Sequence, residues 1–372
     1  MRILRIGYRL PPEPGGKERH IERLSREQIL RGHEVHVAHR LGETPEGART
    51  VPLAPTRVSR ALSWRSDVVA FGAECARALP RVGRVDVVHL HGDHREALAL
   101  GAAARRLGVP LVLTVHGALT ARHRAVMPRA FRHVDGFIAL GDRPAEDLVA
   151  AGIPAGRIRT MSSGLDLAHL SGFRRRGPAE PGLVVSVGAL EKVKDHAVTI
   201  RAFRELRATC PGSRLVIVGE GSERARLERL AGPGSGVEFA GRLPADEVYA
   251  LVGTAQAFVL SSRRLRTLGE GIPTAALEAL ALGTPVIVAS DASLDPVIAD
   301  RAAYRTFPSG SVADLLRHLR VVLHDETAGP RMAERGRRAV SALDWPLVAA
   351  RVEEWYETFA RAGTPPLSRS AS

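Results

Sequence analysis

Two glutamates, Glu270 and Glu278, stand eight residues apart around a Gly-Ile-Pro turn that leads into an apolar helical run. This spacing predicts one carboxylate in the loop before a helix and the other on the helix itself, about two turns later. Backbone N–H groups at a helix N-terminus lack intrahelical partners and favour an anion. A ligand with hydroxyls at both ends and phosphates in the middle, such as a nucleotide sugar, fits this layout.

Lysine is rare in this chain, yet Lys192 and Lys194 lie together in one short segment. A compact ammonium suits a point contact with a phosphate, which makes Lys194 a candidate for binding a diphosphate. Gly15 and Gly16 form a second candidate phosphate contact, because a backbone without side chains can approach the ligand closely. A plain tight turn is the alternative interpretation of this glycine pair.

Strand and helix signals alternate along the chain, which predicts parallel sheets with helical crossovers. In such sheets ligands bind at the carboxyl ends of the strands. Strands are predicted at residues 3–8, 34–39, 86–91, 110–116, 137–140 and 158–162, and again at 183–187, 214–218, 237–239, 257–260 and 285–289.

The alternation is interrupted by a run rich in Pro, Gly and Arg, which predicts a linker between two domains. The expected architecture is α/β, with two Rossmann-like domains whose parallel sheets face each other across a cleft. A last helix should pack back on the first domain, and the tail should be disordered. The expected boundaries are residues 1–172 for the first domain, 173–182 for the linker, 183–345 for the second domain, 346–362 for the last helix and 363–372 for the tail.

Length and composition support a globular protein. With 372 residues, of which 45% are hydrophobic and 25% charged, the chain is long enough for two cores. No apolar stretch is long enough to cross a membrane, and the first residues indicate a strand rather than a signal peptide. Two distant cysteines, Cys75 and Cys210, are typical of buried thiols in a reducing compartment. We therefore expect a cytoplasmic protein.

The net charge of +13 is concentrated in the first half of the chain. A basic first half could attract a phosphate-bearing acceptor or make weak contact with the anionic inner face of a membrane, and a solvated arginine-rich surface is the alternative. Aromatic residues make up only 4% and are not interleaved with the basic ones, which argues against nucleic-acid binding. The oligomeric state is not readable from these patterns.

The chain resembles the family-4 retaining glycosyltransferases of the GT-B fold over nearly its whole length. The most specific match is residues 270–289, which combine Glu-x7-Glu with Glu-Ala-x-Ala-x-Gly-Thr-Pro-Val-Ile. The resemblance implies transfer of a sugar from a nucleoside diphosphate, UDP rather than GDP, to a hydroxyl of a small-molecule, glycan or lipid acceptor, with retained anomeric configuration. Weaker matches follow in the family's order at residues 11–20, 31–35, 86–92, 113–117, 187–194 and 217–221.

The resemblance also implies roles for individual residues. Glu278 would bind the ribose hydroxyls and Glu270 the hydroxyls of the donor sugar. Lys194 would bind the diphosphate, and His116 would lie beside the reacting sugar, so that Glu270, Lys194 and His116 are the expected catalytic residues. Further residues expected at the donor are Gly15, Gly16, Gly188, Lys192, Leu243, Ile272, Pro273 and Thr274.

The acceptor is expected on the first domain. We expect it to be lined by His91, Asp93 and His94, and, where it is anionic, to be contacted by Arg122 and Arg124. A metal held by the histidines of this region is the alternative. We favour no metal and no cofactor, because the sequence lacks an Asp-x-Asp pair and the family's fold usually stabilises the diphosphate without a metal.

One departure from the family pattern bears on the chemistry. Ala189 stands where the family has an arginine that binds the diphosphate together with the lysine, and residues 263–266 form a longer and more basic stretch than usual. We predict that Lys192 or an arginine of residues 263–266 replaces the missing cation. Two other functions stay open: a catalytically silent nucleotide-binding protein of the same fold, and a peripheral membrane glycosyltransferase with an anionic lipid acceptor.

Overall fold

The computed structural model describes residues 1–13, 15–117, 119, 125–265, 269 and 271–360. Within them the chain divides into two compact units. The first unit contains residues 1–164 and the final segment from Trp345, and the second contains residues 165–344. This division falls earlier than residue 172 because Leu165 bridges to Asp344 and donates its N–H to the Leu343 carbonyl at 2.8 Å.

The strands and helices alternate along both units. The strands are β1 (Arg2–Gly7), β2 (Glu34–Ala38), β3 (Arg49–Thr50), β4 (Val87–His91), β5 (Leu111–Val115), β6 (Gly136–Leu140), β7 (Ile158–Met161), β8 (Glu180–Val187), β9 (Arg214–Val218), β10 (Val237–Gly241), β11 (Ala255–Leu260), β12 (Val286–Ala289) and β13 (Arg305–Phe307). The helices are α1 (Gly16–Leu30), α2 (Arg57–Ser63), α3 (Asp67–Ala78), α4 (His94–Leu107), α5 (Met127–Ala130), α6 (Asp142–Ala150), α7 (Leu167–Ser171), α8 (His196–Thr209), α9 (Arg224–Ala231), α10 (Ala245–Thr254), α11 (Thr274–Leu282), α12 (Val312–His324), α13 (Ala328–Ala339) and α14 (Trp345–Ala360).

The first unit is built on a parallel sheet with the order β3-β2-β1-β4-β5-β6-β7. Its central strands are buried along their length, as expected for a parallel sheet covered on both faces. The chain runs from β1 towards one edge and then from β4 towards the other, so the order reverses between these two strands. That reversal is where parallel α/β sheets place their ligands. The register sets Arg5 of β1 opposite His89 of β4, and Gly7 opposite His91.

The last helix, α14, covers one face of the first sheet. Trp345, Val348, Val352 and Tyr356 pack in one apolar cluster with strand residues such as Val112. Because α14 follows the whole second unit in sequence, the first unit is closed only when the end of the chain returns to it.

The second unit is a parallel sheet with the order β10-β9-β8-β11-β12-β13. Its strand order reverses between β8 and β11, so the loops after these two strands flank the second switch point. β8 begins at Glu180, inside the segment that we expected to be a linker, because β8 pairs with both β9 and β11. The predicted α/β class with two parallel-sheet Rossmann-like domains is confirmed.

Among the described residues, no helix has the length and apolar character needed to cross a membrane.

Candidate active site

A cavity of about 410 Å³ lies in the first unit, at the carboxyl ends of β1, β4 and β5. It sits at the reversal of strand order, where the loops after β1 and β4 diverge. Its walls mix cations, carboxylates and one imidazole, which suits a polyhydroxyl ligand that carries charge. The lining residues are Tyr8, Arg9, Lys17, Glu18, Val68, Gly92, Asp93, Arg95, Glu96, Val115, His116, Gly117 and Leu119.

Two carboxylates of this cavity are fixed by the start of α4. Asp93 accepts the N–H of Arg95 at 2.8 Å, and Glu96 accepts the N–H of Asp93 at 3.0 Å, which forms a capping box. Burial and, to a lesser extent, the nearby Asp93 charge raise the pKa of Glu96 to about 7. Burial alone would raise the pKa of Asp93, but hydrogen bonds from the Arg95 guanidinium and backbone lower it overall.

A buried hydrogen-bond network lies beside the cavity. Its central residue is Arg5, whose side chain has no exposed surface. Its Nη1 donates to His89 Nδ1 at 3.1 Å and to His91 Nε2 at 3.0 Å, and its Nη2 donates to Gln28 Oε1. His91 Nδ1 lies 2.9 Å from His116 Nε2. The network therefore links a buried cation to the one histidine that lines the cavity.

The histidines of this network are neutral. Burial and, to a lesser extent, the Arg5 charge lower the pKa of His20, which packs against His91 and His116, to about 3. The pKa values of His89, His91 and His116 also lie well below the ordinary value, first because of burial and then because of neighbouring positive groups.

Two expected acceptor contacts need correction. His91 has no exposed surface, because its ring is enclosed between Arg5 and His116, so it cannot touch an acceptor directly. His94 is not part of the cavity lining, and its ring faces Asp93 at 3.6 Å. Asp93 does line the cavity. Arg122 and Arg124 lie outside the described residues.

His20, His91 and His116 bring ring nitrogens within 4.8 Å of one another, which is close enough to suggest a metal. The hydrogen bonds do not fit one. Arg5 can only donate, so His91 Nε2 must accept, and the proton of the neutral ring then sits on Nδ1. A metal on Nδ1 would force that proton onto Nε2, against the Arg5 N–H.

Gly15 and Gly16 precede and begin α1. Gly15 has φ 155°, and a Cβ there would lie 2.0 Å from Glu18 Oε2, so glycine is required at this position for structural reasons. A Cβ on Gly16 would meet nothing within 4 Å. The two glycines are therefore structurally different, although they are adjacent.

Lys194 lies in the loop after β8, at the second switch point. The side chain of Lys194 packs over Gly188, where a Cβ would be only 3.3 Å from Lys194 Cδ. Ser261, directly after β11, donates its hydroxyl to the carbonyls of Lys194 at 3.1 Å and Asp195 at 2.9 Å. The two loops at this switch point are thus tied together, with Lys194 half-buried and Lys192 exposed.

The basic stretch begins against the same loop. The N–H of Arg263 donates to the Val193 carbonyl at 2.8 Å, and its Nε lies 3.4 Å from Asp195 Oδ2. This arrangement places Arg263 beside the lysine loop, as the predicted replacement for the missing cation requires. Arg266 lies outside the described residues.

Glu278 projects from α11 between the buried residues Leu277 and Ala279. The Tyr249 hydroxyl donates to Glu278 Oε1 at 3.1 Å, which orients the carboxylate from the neighbouring helix α10. Glu270 lies outside the described residues. Four other expected donor residues lie at the start of α11 or pack against the apolar cluster that contains Leu277. These four are Leu243 and Ile272 in the cluster, Pro273 as the N-cap and Thr274 as the first helical residue.

Sequence reasoning missed Arg5, His20, Tyr249 and Ser261, and also cavity-lining residues such as Arg9, Lys17 and Glu96. Arg5 interrupts an otherwise apolar strand, and that interruption was a usable signal. His20, Tyr249 and Ser261 gave none, because their roles depend on partners far away in sequence.

Each of the two units is a Rossmann-like α/β domain built on a parallel sheet. The family model described as Glycosyltransferase Family 4 matches residues 14–169, and the one described as Glycosyl transferases group 1 matches residues 173–339. Together they cover most of the chain, which belongs to the family-4 glycosyltransferases of the GT-B type. The predicted family and enzyme class are confirmed.

Curated relatives match along almost the whole chain. The glycogen synthase of Mycobacterium tuberculosis (strain CDC 1551 / Oshkosh) is 29% identical, over 99% of this chain and 97% of its own length. The phosphatidyl-myo-inositol mannosyltransferase of Mycolicibacterium smegmatis is 27% identical, over 97% of this chain and 95% of its own length.

Solved structures share the fold at low sequence identity. Anabaena Alr3699/HepE in complex with UDP-glucose has a TM-score of 0.74 and 17% identity, covering 96% of this chain and 100% of that protein. WaaG, a glycosyltransferase involved in lipopolysaccharide biosynthesis, has a TM-score of 0.68 and 19% identity, covering 95% of this chain and 98% of that protein.

Proposed function

We propose that this protein transfers a sugar from a nucleoside diphosphate, UDP rather than GDP, to an acceptor hydroxyl with retention of configuration. The observation that carries the proposal is the second switch point, where Lys194 and Glu278 stand on elements fixed by Ser261 and Tyr249. The binding of UDP-glucose by a solved protein of the same fold supports this choice of donor.

The donor would lie along the start of α11. Glu278, oriented by Tyr249, offers a fixed acceptor for the two ribose hydroxyls. The N-terminus of α11 and the Lys194 ammonium favour the diphosphate, since both present positive charge. Glu270 would then hold hydroxyls of the transferred sugar.

The reaction breaks the bond between the anomeric carbon and the diphosphate oxygen and forms a bond from the same carbon to the acceptor oxygen. We assign the acceptor's proton to the departing diphosphate on the same face of the sugar, with no protein nucleophile. Lys194 would stabilise the negative charge that grows on the leaving group. The reaction requires no metal ion in this scheme.

The acceptor would occupy the cavity of the first unit. Arg9 and Lys17 line it and take part in none of the ion pairs between described residues, whereas Arg95 is held by Asp93 at 2.6 Å. An acceptor with several hydroxyls and one anionic group would match Arg9 and Lys17 on one side and Glu96 on the other.

Titration calorimetry followed by a turnover assay tests the proposal. UDP, UDP-glucose, UDP-N-acetylglucosamine and GDP-mannose are titrated separately, and each donor that binds is then incubated with a panel of polyol, sugar phosphate and lipid acceptors. We expect binding of a UDP-sugar and a product with the donor's anomeric configuration by proton NMR. If a donor binds but is neither transferred to an acceptor nor slowly hydrolysed, the result would favour a catalytically silent protein.

Substituting the two adjacent glycines one at a time should distinguish a contact with the ligand from a requirement of folding. Gly16→Ala should fold as stably as the parent, because its Cβ meets nothing, yet it should raise KM for the nucleotide sugar roughly 10- to 100-fold by displacing a phosphate. Gly15→Ala should instead lose about 1–3 kcal/mol of folding free energy through its φ of 155° and the contact with Glu18. Steady-state kinetics and thermal unfolding of both variants measure this difference. An unchanged KM in Gly16→Ala would contradict a contact between the donor phosphate and the backbone at Gly16.

One surface favours the second candidate, a peripheral enzyme with an anionic lipid acceptor. Trp64 is 95% exposed and Val58 is 67% exposed on and beside α2, and Arg57, Arg60 and Arg65 are exposed around them. An indole next to arginines is the composition that settles at the interface of an anionic bilayer.

Vesicle binding tests this second candidate. Trp64→Ala should weaken binding to vesicles containing phosphatidylglycerol about 10-fold or more, because one interfacial aromatic side chain is lost. Leu30→Ala removes a side chain that is 81% exposed on α1 and serves as the matched control. If the parent and both variants bind the vesicles equally and independently of salt, or do not bind at all, the result would contradict a lipid acceptor and favour a water-soluble one.

A further inference from the structure

We infer that Arg5 and His91 are positioning residues that hold His116 as the neutral tautomer with its proton on Nδ1, so that His116 donates a hydrogen bond into the cavity and does not act as a base. The inference rests on the proposed transferase function for its catalytic consequence. The tautomer itself follows from contacts inside the first unit.

The hydrogen bonds between Arg5 and the two neighbouring histidines can run in only one direction. A guanidinium has only donors, so the Nη1 contacts make His89 Nδ1 and His91 Nε2 acceptors. The Tyr356 hydroxyl lies 2.5 Å from the same His89 Nδ1. The remaining hydrogen of neutral His89 then lies on Nε2, where it meets Thr114 Oγ1 at 2.6 Å. The hydrogen of neutral His91 lies on Nδ1, directed at His116 Nε2 at 2.9 Å.

These hydrogen bonds also fix the state of His116. Since Nε2 accepts from His91, the single hydrogen of the neutral ring lies on Nδ1. No hydrogen bond to Nδ1 comes from the part of the chain that the structure describes, and the residue lines the cavity. The His20 ring packs edge-on against His116, with centroids 5.0 Å apart and an interplanar angle of 88°, which restrains ring rotation.

Burial of the Arg5 guanidinium costs folding free energy. Arg5 is fully buried, and its hydrogen-bond partners are two imidazoles, an amide and the Tyr356 hydroxyl, with no carboxylate among them. Burying a guanidinium without a carboxylate is unfavourable. Ordinary packing would not require this cation on a strand whose neighbours Leu4 and Ile6 are apolar. A cation that only donates is, however, what forces both histidines into one tautomer.

The chemical consequence concerns proton transfer. A His116 whose Nε2 lone pair is occupied cannot take the acceptor's proton through that nitrogen, and Nδ1 already carries one. His116 can donate to an oxygen of the transferred sugar or of the acceptor and thereby fix its position. This role agrees with the proposed departure of the proton on the diphosphate.

Four variants and two readouts test the inference in the full-length protein. His91→Leu removes the donor to His116, whereas His91→Asn keeps an N–H near the Nδ1 position. Arg5→Met removes the group that fixes His91. His89→Leu is the matched control, because His89 is equally buried and is bound to Arg5, Tyr356 and Thr114 but has no hydrogen bond to His116.

The first readout is independent of activity. Nitrogen-15 NMR of labelled histidine distinguishes protonated from unprotonated ring nitrogens, with the His116 signals assigned by their loss in His116→Gln. We expect a protonated Nδ1 and an unprotonated Nε2 in the parent and in His89→Leu, and a mixture of tautomers in His91→Leu and Arg5→Met. A proton on Nε2 in the parent, or an unchanged tautomer in both variants, would overturn the inference.

The second readout is the split between kcat and KM. His91→Leu should lower kcat roughly 10- to 100-fold, the usual cost of losing a group that orients a functional histidine. KM for the nucleotide sugar should change less than about threefold, and His91→Asn should recover most of kcat. An equal loss in His89→Leu, or no recovery in His91→Asn, would reduce the network to a structural one and overturn the inference. Absence of turnover in the parent would instead contradict the proposed function and leave the NMR test standing.

Discussion

Lys194→Ala is expected to lower kcat roughly 30- to 1,000-fold, which corresponds to ~2–4 kcal/mol of lost transition-state stabilisation. The departing diphosphate gains negative charge as its bond to the sugar breaks, and Lys194 is the half-buried cation of the loop that Ser261 fixes at the second switch point. Initial rates at saturating donor measure the effect. Arg229→Ala removes an exposed cation from α9 and should leave kcat unchanged.

The same assay locates the cation that replaces the family's missing arginine. Lys192→Ala, Arg263→Ala, Arg264→Ala and Arg266→Ala are compared one at a time, and we expect at least one of them to reduce turnover. Arg263 is the described candidate whose backbone and side chain both contact the lysine loop. Full activity in all four variants would contradict a replacement cation, and full activity in Lys194→Ala would remove the proposed diphosphate contact.

Acidification should destabilise the first unit strongly between pH 6.5 and 4. The pKa of His20 is lowered to about 3, and those of His89, His91 and His116 are lowered in the same direction, mainly by burial. Below the ordinary histidine pKa of about 6.5 the unfolded chain therefore binds protons that the folded chain does not. The free energy of unfolding must then fall as pH falls, by about 1.4 kcal/mol per pH unit for each such histidine.

Urea unfolding at pH 8, 7, 6 and 5, followed by tryptophan fluorescence, measures this slope. We expect the stability present above pH 6.5 to be lost progressively below it, with a slope that exceeds one proton. His91→Asn removes one of the titrating groups and should flatten the slope. Leu30→Ala removes an exposed side chain on α1 that does not titrate and should leave the slope unchanged. A stability that is flat from pH 7 to 5 would show that these histidines are charged in the folded protein.

Local sequence patterns predicted the central strands well, because a buried parallel strand is a short continuous apolar run. The runs at β4, β5 and β9 are examples. The shortest strands were missed: β3 has only two residues and β13 only three, too few for any periodic signal. α12 and α13 were also not predicted, although both begin shortly after turn residues.

The two compact units divide at a residue that the sequence does not mark, for a related reason. The segment after Gly164 looks like the end of the first domain in sequence, but the bond between Leu165 and Leu343 ties it to the second unit. A contact between residues so far apart leaves no local pattern.

The residues expected at the donor stay a prediction from the sequence, whereas the first-unit network was not predictable from it. Gly188 and Lys194 follow the end of β8, and Glu278 lies within α11. Their expected roles came from the spacing of the residues together with the family resemblance. Arg5 acquires its role only through the register that sets it opposite His89, and Tyr249 acquires its role only through the packing of α10 on α11. Pairings of this kind depend on the assembled sheet and helices.

A crystal structure of the protein with a bound UDP-sugar tests the central claim most directly. We expect the ribose hydroxyls on the Glu278 carboxylate, the diphosphate between Lys194 and the start of α11, and the sugar hydroxyls on Glu270. A nucleotide bound elsewhere, or bound with Glu278 and Lys194 both out of contact, would contradict it.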